Sequence, residues 1–166
     1  MTLRRDLTMF DKFMYKVQNP FYIMFFLFTK LPSAYFSGVR LRHIDENKCF
    51  VTVPYKWFSK NPFKSTYFAC LAMAAEMSTG ILAMGHCYKK TPQVSMLVSR
   101  LEATFSKKAT GRITFECEDG ERIETAVNNA IKYGKSTTVN AYTTGKDKNG
   151  DTVASFIVTW SFRSKI

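Results

Sequence analysis

The stretch from Phe68 to Met84 leaves no side of a helix that water would prefer: Phe68, Ala69, Leu71, Ala72, Met73, Ala74, Ala75, Met77, Ile81, Leu82 and Ala83 point round the full circle. A helix that is apolar on every face must be buried on every face. Ser65 or Thr66 is placed to cap its start, and it runs to about Met84 or Gly85. At ~1.5 Å per residue it is about 30 Å long. Tyr67 to Gly85 has about the length that crosses a bilayer, but Glu76, Ser78 and Thr79 interrupt it, so the reading is a soluble core helix. The rest of the chain must then wrap it.

The flanking sequence supplies strands for that wrapping. Val39 to Ile44 and Cys49 to Val53 form a hairpin about the turn Asp45-Glu46-Asn47, closed by Pro54. After the helix, Leu97, Ser99, Leu101, Ala103 and Phe105 mark one face of a strand. Ile113, Phe115 and Cys117 mark another, after the turn at Thr110-Gly111. Ile123, Ala126, Val127, Ala130 and Ile131 fit a short amphipathic helix with Gly134 as its C-cap. Val139, Ala141 and Thr143 lead through Asn149-Gly150 to a last strand, with Phe156, Val158, Trp160 and Phe162 on one face. Short connections make the sheet largely antiparallel. The class is α+β: about six strands around one long buried helix.

Leu3, Leu7, Phe10, Met14 and Val17 line one face of an N-terminal helix, which Asn19-Pro20 ends. A second, shorter helix starts with Pro20 at its first position, and Lys30 to Ser37 reads as a connector. The run Phe21 to Phe28 is intensely apolar but too short to span a membrane. No small-residue cleavage pattern follows it, so it does not read as a signal peptide. The expected role of these helices is to pack on the core as a lid. The other reading is peripheral contact with a membrane through the aromatic run.

With 24 Lys and Arg against 13 Asp and Glu, the chain carries a formal charge of +11. The excess brackets the apolar helix on both sides. Such a field attracts nucleic acid, acidic lipid or a nucleotide-bearing small molecule, or simply keeps the surface solvated. No arginine-rich recognition helix is present, so nucleic acid is not expected. There is no GxGxxG, no GxxxxGK[ST] and no GxSxG. Cys49, Cys70, Cys87 and Cys117 make no CxxC, and His43 and His86 stand far apart, so no metal site is expected. Free thiols suit a reducing cytoplasm.

Glu76 is the one acidic residue between Glu46 and Glu102. A carboxylate among Met73, Ala74, Ala75 and Met77 is costly to ionise and becomes a candidate base. The plain alternative is an internal ion pair with Arg40, Arg42 or Arg100. Asn61 lies just ahead of the helix, where unpaired backbone N–H groups can hold an oxyanion. As a residue before Pro62 it is also an ordinary turn former.

The order Asn61, then Tyr67-Phe68-Ala69, then Glu76 on a long helix after a hairpin resembles the hotdog-fold thioesterases of the phenylacetate-pathway type. The later run Lys107-Lys108-Ala109-Thr110-Gly111-Arg112 is similar to their second hairpin. Lys30-Leu31-Pro32 through Gly38-Val39-Arg40-Leu41 resembles a branch of that superfamily with an extra helical piece at its N-terminus. The resemblance covers roughly residues 30–163. It implies an N-terminal helical extension over 1–29 and a hotdog domain over 30–166. It implies a homodimer, or a dimer of dimers, joining sheets edge to edge, with acyl-CoA thioester hydrolysis at the interface.

By match to the family, Glu76 is general base or nucleophile, and Asn61 of the other subunit orients water or the thioester. The backbone N–H of Phe68 or Ala69 holds the thioester oxygen. The family's His-Gly-Gly is Tyr67-Phe68-Ala69 here, so Tyr67 either donates through its hydroxyl or packs, and close approach to the helix start is more crowded. Lys107, Lys108 and Arg112 suit the phosphates of coenzyme A, which enters as part of the substrate; no separate cofactor is implied. Met73, Met77, Phe105 and Trp160 either line an acyl tunnel or belong to the core. A non-catalytic acyl-CoA or fatty-acyl binder on the same fold is the alternative.

Overall fold

The computed structural model describes residues 7–165, and Leu3, placed on the first helical face above, lies outside them. Six strands form one antiparallel sheet: β1 (Arg40–Ile44), β2 (Cys49–Val53), β3 (Val94–Phe105), β4 (Ile113–Cys117), β5 (Thr137–Lys146) and β6 (Thr152–Ser164). Their spatial order is β1-β2-β4-β5-β6-β3, so β1 and β3 are the two free edges. Before the sheet come α1 (Met9–Gln18), α2 (Pro20–Lys30) and α3 (Pro32–Ser37). The long helix α4 (Phe68–Cys87) lies on the inner face of the sheet, and α5 (Gly120–Tyr133) packs beside it on β5 and β6. This is the hotdog architecture.

Alternation explains the inner face. Cys49, Val51 and Val53 of β2 stand opposite Cys117, Phe115 and Ile113 of β4, and all six are fully buried. On β6, Phe156, Val158, Trp160 and Phe162 face the same way. Polar groups of α4 that enter this core are satisfied. Ser78 Oγ bonds Ala75 O at 2.7 Å and Thr143 Oγ1 at 2.8 Å. The Trp160 indole N–H donates to Thr79 Oγ1 at 2.9 Å. Among the described residues α4 is the one helix long and apolar enough to cross a membrane, and 67% of that window is buried inside the protein, as a core helix is.

The sequence expectations change at four places. The 30–37 connector contains α3, which Pro32 starts and Gly38 ends in the left-handed conformation at φ 80°. The inner face of α1 is Phe10, Phe13 and Val17, while Leu7 is exposed. Ser65 and Thr66 do not cap α4, which begins at Phe68 with Tyr67 at the cap position and no side-chain cap. In β3 the register shifts between Val98 and Arg100, so Ser99 is a bulge. Met96 and Val98 pair with Phe162 and Trp160, and beyond the bulge Leu101, Ala103 and Phe105 pair with Val158, Phe156 and Ala154. Leu97 and Ser99 therefore do not share the inner face with Leu101.

The N-terminal helices pack as expected along one side. The Phe10 ring lies 4.7 Å from the His86 ring, and Phe13 lies 5.5 Å from Tyr88, centroid to centroid. Asn19 Oδ1 caps α2 by accepting from the N–H groups of Phe21 and Tyr22. The four cysteines are free thiols, with Cys49, Cys70 and Cys117 buried. Burial pushes the Cys117 thiol up to about 12 and the Cys87 thiol up to about 11.

Candidate functional site

The loop ahead of α4 is tied together by short polar side chains. Ser59 Oγ donates to Pro54 O at 2.6 Å, and the Tyr67 N–H donates to Ser59 O at 2.7 Å. Asn61 Oδ1 accepts from the N–H groups of Phe63 and Ser65, at 2.9 and 3.2 Å. Its amide donates to Ser65 Oγ at 3.1 Å and more weakly to Thr66 O at 3.4 Å. Thr66 then bonds Ala109 O through both its N–H and its hydroxyl. Loop 59–67 is thus stitched to loop 105–109.

Between the two loops lies a mainly apolar groove of about 600 Å³. Asn61, Tyr67, Phe68, Phe105, Lys107 and Lys108 are among its lining residues. A ladder of edge-on rings runs inward from it: Tyr67 to Phe68 at 4.9 Å, Phe68 to Phe105 at 6.4 Å, and Phe105 to Phe156 at 5.6 Å. Because Ser65 and Thr66 spend their hydroxyls on the loop, the start of α4 is left open. The N–H groups of Cys70 and Leu71 both turn back to Tyr67 O, whereas those of Phe68 and Ala69 have no acceptor among the described residues.

Glu76 sits two turns further in, about 12 Å along the helix from Phe68. It belongs to a stripe on α4 (Phe68, Ala69, Ala72, Met73, Glu76) that the sheet does not cover completely. Burial on every face therefore fails along this one line, beside the β3 edge. Three arginines were candidate partners, and all are engaged elsewhere. Arg40 donates to Tyr35 O and Val39 O, Arg42 to Thr52 Oγ1, and Arg100 pairs with Glu102. Among the described residues the Glu76 carboxylate has no hydrogen bond or ion pair. Burial raises its pKa above the ordinary carboxylate value, with nothing nearby to oppose the shift.

The supports of Glu76 were not anticipated. Gly80 passes under its carboxylate, and Thr79, bonded to the Glu76 carbonyl at 3.0 Å, holds the Trp160 indole beside them. The signal was present as a small residue and a hydroxyl one helical turn beyond Glu76.

Within one chain the groove gathers Asn61, Tyr67, Phe68, Lys107 and Lys108, while Glu76, Ala69 and Arg112 lie outside its lining. Lys107 is held by Asp147 and Asp151 at 2.8 and 2.7 Å, and these carboxylates push its pKa up to about 12. It is committed to the β5–β6 turn. Lys108 donates only to Phe63 O, at 3.4 Å. Met77 and Trp160 are core residues, and Phe105 lines the groove. His43 is an exposed partner of Asp45, and His86 is buried against Glu46 O at 2.9 Å. Among the described residues no three His, Cys, Asp or Glu side chains converge on one point.

A family model described as "Domain of unknown function (DUF4442)" matches residues 23–162. Among solved structures, a protein of unknown function from Pseudomonas aeruginosa, described as a "Probable Thioesterase", superposes with a TM-score of 0.75 at 22% identity, covering 88% of this chain and 97% of its own. A protein of unknown function from Chlorobaculum tepidum TLS superposes with a TM-score of 0.75 at 15% identity, covering 96% of this chain and 98% of its own. A mutant thioesterase from Pseudomonas aeruginosa superposes with a TM-score of 0.62 at 14% identity, covering 98% of this chain and 96% of its own. No curated protein matches the chain. At these identities the likeness is one of fold.

Proposed function

This chain belongs to the family described as a domain of unknown function, DUF4442, and from that premise we propose that it hydrolyses an acyl-CoA thioester as a homodimer. The observation that carries the proposal is the Glu76 carboxylate, unpaired, of raised pKa, on the one incompletely covered stripe of α4 beside a free sheet edge. An unpaired carboxylate is expensive to keep in such a place unless it has chemistry to do.

The dimer completes the site. β3 is a free edge of 12 residues with Leu101 and Phe105 exposed. Pairing two such edges satisfies their backbone groups and covers the open stripe. Asn61 of the second copy would then approach Glu76 of the first. In the reaction, the thioester carbonyl lies at the start of α4 of the second copy, beside that copy's Asn61, with its oxygen facing the N–H groups of Phe68 and Ala69 there, because Glu76 of the same helix stands about 12 Å away. Glu76 takes a proton from water as the water oxygen attacks the carbonyl carbon. The tetrahedral intermediate collapses with cleavage of the C–S bond, and the proton passes to the departing coenzyme A thiolate. The products are a carboxylic acid and the free thiol. The acyl group lies in the apolar groove, with Lys108 and Arg112 toward the phosphates. The free cysteines suit a reducing cytoplasm as the place of action.

One observation favours a binder instead: the Phe68 side chain stands in the groove at the point where a thioester would approach. Hydrolysis and binding separate in one assay. Purified protein offered acyl-CoA esters of varied chain length releases free thiol, and Glu76→Gln stops the release while the protein stays folded. Thermal stabilisation by acyl-CoA without thiol release selects the binder. Neither release nor stabilisation across the panel overturns both readings.

A further inference from the structure

The outer face of α2 is apolar and faces solvent. Ile23 and Leu27 point into the core, whereas Phe21 and Phe25 are 86% and 69% exposed and Phe28 follows on the same face. That face continues across the chain. The Phe28 ring meets Tyr35 at 5.2 Å and Phe36 at 6.2 Å, Phe36 stacks on Phe58 at 5.7 Å, and Phe58 meets Trp57 at 5.1 Å. Trp57, in the 3₁₀ turn Trp57–Ser59, is itself 73% exposed. An aromatic surface from three separate elements, joined ring to ring, is more than the scattered apolar exposure of an ordinary surface.

The charge around it has one sign. Residues 20–37 and 54–64, which hold the elements of this face, contain four lysines (Lys30, Lys56, Lys60, Lys64) and no Asp or Glu. Lys30 ends α2, and Lys56 and Lys60 bracket the 3₁₀ turn. All three are exposed and form no ion pair among the described residues.

We infer that this face docks on a membrane surface containing anionic lipid, with the Phe21, Phe25, Phe28 and Trp57 rings in the interfacial layer and Lys30, Lys56 and Lys60 among the headgroups. Aromatic rings are favoured at the depth where acyl chains meet headgroups. Each lysine close to an anionic leaflet adds attraction that falls within a Debye length. A second copy of the chain fits this face poorly, because a two-fold contact here would set one basic rim against another. The 3₁₀ turn runs directly into the loop that borders the groove, so docking would present the groove to the bilayer.

The test uses the full chain in a vesicle flotation assay, with phosphatidylcholine vesicles compared with vesicles of phosphatidylcholine and roughly one third phosphatidylglycerol. The expected result is binding to the anionic vesicles, little binding to the neutral ones, and loss on raising salt. Phe21→Ser with Phe25→Ser, both far from the core, weakens binding about tenfold or more without moving the melting temperature. Lys30→Glu with Lys60→Glu weakens it similarly. No binding to either vesicle overturns the inference, as does vesicle binding that both double variants leave unchanged. Loss of a higher oligomer in the phenylalanine variant, with no vesicle binding by the parent, overturns it in favour of a second copy. The readout involves no turnover, so it stands apart from the hydrolytic reading.

Discussion

Gly80 makes room for Glu76: a methyl group on Gly80 would stand 3.0 Å from Glu76 Oε1 and 3.1 Å from the Trp160 ring. The Trp160 ring is held by its bond to Thr79 and cannot retreat freely, whereas the Glu76 side chain can swing away. Gly80→Ala gains up to ~1 kcal/mol of helix propensity and loses a comparable amount to crowding. The expected outcome is a melting temperature close to that of the parent with thioester hydrolysis reduced about tenfold or more, read by thermal denaturation and thiol release.

Glu76→Gln separates stability from chemistry. Burial raises the Glu76 pKa, so the folded state holds this proton more tightly than the unfolded chain. Its contribution is therefore most favourable at low pH and is lost as pH rises through the raised value. At neutral pH the glutamine variant should melt higher, by about 2–4 °C, and the gain should shrink as pH falls through that value. Hydrolysis should fall by ~100-fold or more. In the parent, activity should decline on acidification as Glu76 takes up its proton.

Leu101 faces the helix side of β3 at the free edge and is half exposed. Leu101→Asp places a charge where the second copy would pair. The expected outcome in light scattering is a shift from dimer to monomer, with loss of hydrolysis. A dimer that survives the substitution unchanged places the contact elsewhere.

His86 sets an acid limit. Burial lowers its pKa below the ordinary 6.5, against the opposing bond to Glu46 O. The unfolded chain therefore protonates first, and stability falls as pH drops from about 6.5 through the lowered value. His86→Gln, which can still donate to the Glu46 carbonyl, should be flatter over that range in melting temperature against pH.

Lys107 and Lys108 adjoin in sequence but should respond differently. Lys108→Ala should weaken coenzyme A binding about threefold to tenfold, with reduced salt dependence, because its ammonium is not tied to a carboxylate. Lys107→Ala should chiefly loosen the β5–β6 turn, since Asp147 and Asp151 hold its ammonium. Titration calorimetry and hydrogen exchange of the turn distinguish the two.

The wrapping of six strands round one helix was legible because alternation and all-round apolarity are local patterns, carried by runs such as Phe156-Val158-Trp160-Phe162. What stayed hidden depends on partners far along the chain. Ser65 and Thr66 have the chemistry of caps, but Asn61 and Ala109 take their hydroxyls. Alternation through Leu97-Ser99-Leu101 looks unbroken until the bulge at Ser99 divides it. The three candidate arginines, two on β1 and one on β3, bond carbonyls, a hydroxyl and Glu102, and no spacing rule foretells that. Asn61 reads as a turn residue or a site residue, and it serves visibly as the first while standing where it could serve as the second.

Cys49 and Cys117 face each other across β2 and β4 in the dry interior, both free and both with burial holding the sulfur protonated. A maleimide or other alkylating dye can reach either only after the core between these strands and α4 opens. The pair is thus a built-in clock for that opening: the rate of labelling at both positions reports one shared event, and Cys87, nearer the surface at the end of α4, reacts ahead of it.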